Sequence, residues 1–150
     1  MRPDANELKS LLASSGVDAE VDAVLLGTVA RVVPDSVIDA LAALKSAGYE
    51  SLMDFDGIDT GEAIELTWRV RSYSADCEAY VKTAVPYGAE IHSVWNVYPS
   101  ALMPERETAE LFGMHLAGHP NPKRLLTTDG IPPLLRKDVP IRTAEEVKHR

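Results

Sequence analysis

Thiol is almost missing from this chain: Cys77 is the one cysteine in 150 residues. That excludes an internal disulfide, and it excludes any iron–sulfur cluster held by cysteines of this chain alone. Long apolar runs are missing too. None approaches the ~20 residues that cross a bilayer as a helix, and the segment from Met1 to Glu7 lacks the apolar core of a signal peptide. The expectation is a cytoplasmic chain, with no direct membrane insertion, that meets a membrane only through other proteins. Positive charge is in deficit, with a net charge of -8. A general nucleic-acid binder draws its affinity from excess Lys and Arg, so that class is disfavoured. No Gly-rich phosphate cradle and no Gly-x-Ser-x-Gly nucleophile context occurs.

What is present is ordinary globular material, 45% hydrophobic and 25% charged, enough for one domain with a modest core. Leu8, Leu11 and Leu12 at helical spacing predict a helix over 5–14, closed by Ser14-Ser15-Gly16. The β-branched run from Val21 to Val33 predicts one or two strands with a bend at Gly27, ended by Pro34. Asp35 or Ser36 is expected to cap a helix whose face carries Val37, Ile38, Leu41 and Leu44, with Gly48 as the stop. Strands follow over 50–55 and 63–73. In the second, Ile64, Leu66, Trp68 and Val70 alternate with Glu65, Thr67, Arg69 and Arg71. A further strand, 78–84, is expected to pair with it across Ser74-Ala75-Asp76. Residues 91–97 fit either a strand or a helical turn.

Beyond Leu126 the character changes. Pro132, Pro133 and Pro140 disfavour both helix and central strand, so the tail should be extended and poor in contacts with its own domain. Leu134, Leu135, Val139 and Ile141 are too apolar for a tail that only dangles. Residues 123–150 also concentrate Lys123, Arg124, Arg136, Lys137, Arg142, Lys148 and Arg150 on an otherwise acidic chain. The predicted class is α/β, of the α+β type: a small mixed or antiparallel sheet with helices packed against it, a single domain over 1–126, and an extended partner-binding tail over 127–150.

The densest block of information is 105–126. Pro104 suits the first position of a helix, Glu105 and Glu107 suit the positive end of its dipole, and Gly113 can end it. Arg106 and Glu110, four apart, could pair within the helix. The charged face reads equally as a solvated helix surface.

The order of residues in this block resembles the signature of the 30-kDa subunit family of complex I, the proton-pumping NADH:quinone oxidoreductase of the respiratory chain, with its relatives in membrane-bound hydrogenases. That pattern runs Glu-Arg-Glu, two free positions, an acid, two apolar residues, six free positions, a His, three free positions, a Lys, Arg or Pro, one free position and two apolar residues. Glu105, Arg106, Glu107, Glu110, Leu111, Phe112, His119, Lys123, Leu125 and Leu126 fill every fixed place. Leu135-Arg136-Lys137-Asp138 and Tyr98-Pro99-Ser100-Ala101 extend the resemblance over 95–141, and 52–59 matches loosely. There are departures. Leu102-Met103-Pro104 stands where members commonly carry an Asn-Trp pair, a bulky residue near Leu116 is missing, and the N-terminal half is short.

The resemblance implies a non-catalytic connecting subunit of a peripheral arm, binding no cofactor itself while iron–sulfur clusters sit on other subunits. Its partners would be a large subunit, of the 49-kDa or hydrogenase-large type, and iron–sulfur subunits at the cytoplasmic side of the membrane. Glu105, Arg106, Glu107, Glu110, Phe112, His119, Arg136, Lys137 and Asp138 become the candidate partner-binding residues, with Arg106, Arg136 and Lys137 aimed at partner carboxylates. The equivalent subunit of a membrane-bound hydrogenase or F420H2 dehydrogenase is the near alternative. From other classes come a free-standing acid/base enzyme using Glu105, Glu107 or His119, and a regulatory adaptor.

Other clusters carry less. His115 and His119 have a zinc-like spacing, but Gly113, Gly118 and Pro120 oppose a continuous helix, so His119 reads as a turn residue bonded to backbone. Asp54, Asp56, Asp59 and Glu65 evoke a calcium loop, but Asp59 stands where a Gly is required. A turn solvated by acids explains them. Cys77, between Asp76 and Glu78, has neighbours that do not favour a thiolate. Trp68 reads as core, and Trp95 as core or interface.

Overall fold

The computed structural model describes residues 4–25 and 27–140. The expectations placed on Ile141, Arg142, Lys148 and Arg150 lie outside the described residues. Helix α1 (Ala5–Ser14) is capped by the Asp4 carboxylate, which accepts from the Asn6 N–H. A hairpin follows, strands β1 (Glu20–Val24) and β2 (Gly27–Arg31), so the bent run is two strands. Gly27 is required there: a Cβ at that position would lie 2.7 Å from the Glu78 carbonyl. A 3-10 turn, Pro34–Ser36, leads into α2 (Val37–Ser46). Ser36 makes no side-chain cap bond, so the expected capping gives way to the turn's own backbone bonds.

Strands β3 (Ser51–Asp59), β4 (Ile64–Ser72) and β5 (Cys77–Val85) form an antiparallel meander. The sheet order is β1-β2-β5-β4-β3, and β2 runs parallel to β5, with Thr28 opposite Ala79. The sheet is therefore mixed. The β3 strand runs four residues further than its sequence pattern suggests, because the register shift between Leu52 and Asp54 breaks the period-2 signal. This overturns the reading of the acids as a solvated turn. Asp54 and Asp56 lie on the strand itself, and Asp59 at its end is buried.

One sheet face carries Ile64, Leu66, Trp68, Val70, Ala79, Val81 and Val85, all buried, and Phe55 stacks on Trp68 at 4.7 Å between centroids. Each large apolar side chain buried there contributes about 1.5–3 kcal/mol. Helices α1 and α2 add Leu8, Leu12, Leu41 and Leu44 to this core. The opposite face keeps the alternating charges as ion pairs, Lys82 and Arg31 on Glu65, and Arg69 and Arg71 on Glu78.

Residues 91–97 divide into a short strand, β6 (Glu90–His92), and turns. A second 3-10 turn, Pro99–Ala101, precedes α3 (Leu102–Phe112). Pro104 is thus the third residue of the helix, still within the first turn where N–H groups have no helical partner. Gly113 ends α3 at φ 71, in the left-handed region. Strand β7 (His115–Ala117) returns to pair parallel with β6. α3 lies close on β3 because Gly57 has no side chain: a Cβ there would sit 2.8 Å from the Phe112 ring.

Candidate functional site

Most charged groups of the 105–126 block are used to fasten one part of the chain to another. Glu105 is 1% exposed, so it is no solvated capping acid. Its carboxylate accepts from the Ser93 hydroxyl and from the Val94 N–H at 2.7 Å, fixing the segment that follows β6. Burial pushes its carboxyl above the usual range, against the opposing effect of those donors and of nearby His119. His119 Nε2 lies 2.8 Å from the Leu102 carbonyl and 4.0 Å from the Glu105 carboxylate. Its Nδ1 accepts from the Asn121 N–H at 3.0 Å. With Nδ1 accepting, Nε2 carries the proton and donates to Leu102. His119 is the backbone-bonded turn residue that its surroundings in sequence suggest, and it is buried rather than superficial.

Arg106 and Glu110 do not pair with each other. Arg106 donates to the carbonyls of Lys123 and Arg124 at 2.7 and 2.9 Å. Glu110 accepts from the N–H groups of Leu125, Leu126 and Thr127 at 2.8, 3.0 and 2.5 Å, and from the Thr127 hydroxyl. Burial opposes the ionised form of Glu110, but these four donors outweigh it and hold the carboxyl at about 2. One helix face thus grips both the carbonyls and the amides of residues 123–127. Local spacing could not reveal it, because both partners lie a full loop away and the i,i+4 neighbour looked sufficient.

The tail is fastened in turn, which corrects the expectation of few self-contacts. Residues 127–140 contain no helix or strand, as their prolines require, yet they lie along their own domain as a strap. The Leu135 N–H donates to Leu111 O at 3.0 Å. Pro133 packs over Gly113, where a Cβ would come within 3.0 Å. The Lys137 N–H donates to the Asp59 carboxylate at 2.6 Å, and the Tyr87 hydroxyl and Gly61 N–H bond the same carboxylate. The Tyr87 bond above all keeps Asp59 below its usual range, and the same bond pushes Tyr87 up to about 12. Arg136 stacks on the Tyr87 ring at 4.3 Å and chelates Asp138 through two nitrogens. Asp59 and Tyr87 were missed as site residues; nothing in their local sequence announces a partner so distant.

Some candidates face outward instead. Glu107, Lys123, Lys137 and Asp138 are exposed, and the strap presents Leu126, Leu134 and Leu135, each half or more exposed. Phe112 is buried against Gly57. Trp95 is half-buried, and its indole N–H donates to Gly118 O at 2.9 Å. His115 sits exposed on β7, away from the buried ring of His119. Among the described residues no group of three His, Cys, Asp or Glu is placed to hold a metal.

The family model described as respiratory-chain NADH dehydrogenase, 30 Kd subunit, matches residues 30–145. The C-subunit of the NADH-quinone oxidoreductase of Phenylobacterium zucineum is 30% identical over 120 residues, covering 75% of this chain and 56% of its own. That of Rhodobacter capsulatus is 32% identical over 125 residues, covering 77% and 62%. The chain thus spans less than two thirds of the length of these relatives. A chain of the membrane-bound sulfane sulfur reductase, an archaeal respiratory membrane complex, superposes with a TM-score of 0.68 at 25% identity, covering 76% of this chain and 70% of that one. The trypsin-resistant fragment of Nqo5 has the same fold, with a TM-score of 0.65 at 22% identity over 77% of this chain and 96% of the fragment. Matched by the model over most of its length, and carrying the signature as the fastening of its own strap, the chain belongs to the family of 30-kDa subunits of the respiratory-chain NADH dehydrogenase.

Proposed function

We propose that this chain is a connecting subunit, without a catalytic site of its own, in the peripheral arm of a proton-pumping NADH:quinone oxidoreductase-like complex at the cytoplasmic side of the membrane. Its neighbours are a large catalytic subunit and iron–sulfur subunits, which hold the clusters. The observation that carries this reading is the strap. Arg106 and Glu110 of the signature are spent on holding residues 123–127 in one conformation, and what lies outward beside them is apolar, Leu126, Leu134 and Leu135, next to the Arg136–Asp138 pair. A prefixed apolar surface lowers the ordering cost of association. Arg136 serves the surface by stiffening the strap on Tyr87, while the exposed Lys137 and Asp138 supply its polar rim. The membrane-bound archaeal respiratory complex with a related chain supports a second reading, the equivalent subunit of such a relative.

The test is isolation of the tagged chain from gently solubilised membranes. One large assembly containing an iron–sulfur protein and a large subunit is expected, with flavin and NADH oxidation marking the first reading and an assembly that does not oxidise NADH the second. Recovery of the chain alone would overturn the proposal. In a Leu134→Asp/Leu135→Asp variant, assembly should be lost while the isolated chain keeps its circular dichroism.

A further inference from the structure

A cleft of about 460 Å³ opens between α3, strand β7, residues 122–124 and Pro133 of the strap. None of the described residues of β6 lines it, so it flanks β7 on the side away from that strand's partner. The backbone of β7 is only half used. The His115 N–H donates to Ala89 O at 3.0 Å and the Ser93 N–H donates to Ala117 O at 2.9 Å, so residues 115 and 117 turn their backbone polar groups toward β6. In a parallel ladder these groups alternate between the two edges of a strand. Leu116, between them, therefore turns its N–H and C=O the other way, and neither has a partner among the described residues. Such a pair is a template for an added strand.

The charges of the lining add a preference. They are three permanent cations and one carboxylate, on a chain of net charge -8. Arg124 lies 3.9 Å from that carboxylate, Glu110, and 3.9 Å from the exposed Asp129. Arg106 is held by the carbonyls of Lys123 and Arg124, which bond it without neutralising it. Lys123 is exposed, and its ammonium has no carboxylate at ion-pair distance among the described residues. We propose that this cleft docks an extended acidic segment of a partner polypeptide, paired with β7 through the Leu116 N–H and C=O and placing an Asp or Glu beside Lys123 and Arg106. Strand addition supplies a donor and an acceptor together. A free carboxylate has no donor for the Leu116 carbonyl. The assignment to a partner subunit rests on the connecting role proposed above, and it adds a salt-sensitive contact to the apolar one at Leu134 and Leu135.

Adjacent amides provide an internal control. In the ¹⁵N-labelled full chain, titration with the end-blocked peptide Val-Asp-Val-Glu-Val should move the Leu116 amide resonance downfield and saturably, while that of His115, already bonded to Ala89 O, moves less. Methylating the backbone nitrogens of the peptide should weaken it about three- to tenfold. Val-Lys-Val-Lys-Val should not bind. Lys123→Glu changes an exposed side chain and keeps the carbonyl that Arg106 holds, so the fold should persist while the acidic peptide binds at least about fivefold more weakly. Glu145→Gln/Glu146→Gln should leave the affinity unchanged. A gain in that variant would show that this chain's own acids compete for the cleft, and would overturn the assignment to a partner. The absence of a saturable shift by about 10 mM peptide, equal binding of the lysine peptide, or binding that leaves Leu116 unmoved would overturn the proposal. The two readings fail separately: peptide binding by a chain recovered alone from membranes overturns the connecting role but not the chemistry of the cleft, and assembly without peptide binding does the reverse.

Discussion

Glu105 and Glu110 stand on one helix, about a turn and a half apart, each with a side chain almost removed from solvent, and their carboxyl groups are driven in opposite directions. Burial acts on both and opposes charge on both. The difference is the number of donors: Glu110 receives three backbone amides and a hydroxyl, whereas Glu105 receives one amide and one hydroxyl. Counting donors, rather than measuring burial, tells in which direction each buried acid is shifted. The two ends of α3 therefore do different work. The Glu105 end seals a packed interior against 93–94, and the Glu110 end is an electrostatic clasp on the loop that begins the strap.

The largest break in this comparison is Glu110→Ala. It strands three amides in one stroke, and we expect a loss of about 2–3 kcal/mol in stability, the range for hydrogen bonds to a charged group. Urea midpoints measure it, and hydrogen exchange should rise in 123–137 before it rises in the sheet. An unchanged exchange pattern there would mean the clasp does not hold the strap.

The pH dependence separates the two ends by sign. The folded value of Glu110, about 2, lies below the ~4.3 of an unfolded glutamate. Its stabilisation is fully present above the unfolded value and is lost as the pH falls toward 2. Glu105 is raised, so its contribution is present below the unfolded value and is lost as the pH rises through its folded one. Glu110→Gln should flatten the acid side of a stability profile between about pH 5 and 2. Glu105→Gln should flatten the opposite slope, and identical profiles for both variants would remove the distinction.

The smallest effect belongs to Glu105→Gln at neutral pH. The amide oxygen can still accept from Val94 and no buried charge remains, so a change below about 1 kcal/mol is expected in the same urea midpoints. A loss as large as that of Glu110→Ala would remove the distinction between the two ends of α3.

Much of the scaffold was legible in sequence because it is local. Leu8 and Leu12, the face of α2, and the alternation from Ile64 to Val70 each declare their element within a few residues. Three things were not. The parallel β6–β7 pair is three residues long on each side, too short to establish a period. Strand β3 hides behind its bulge and its acids. The clasp was misread because Arg106 and Glu110 satisfy each other on paper, whereas a loop offers Glu110 three backbone amides and a hydroxyl in place of one flexible guanidinium. The resemblance named the block correctly without saying what its charges hold.

The parallel pairing of β2 with β5 has a consequence for how the chain is made. The N-terminal hairpin can close as soon as it exists, but Thr28 finds Ala79 only after α2 and the whole β3–β4 hairpin have been synthesised. Until then β2 offers an unprotected edge, a template for pairing with another nascent chain. Such non-local closure is slow compared with hairpin formation. The exposed Arg31 at the end of β2 and Pro34 just beyond Val32-Val33 are a charge and a proline, the residue types that discourage such pairing at a strand end.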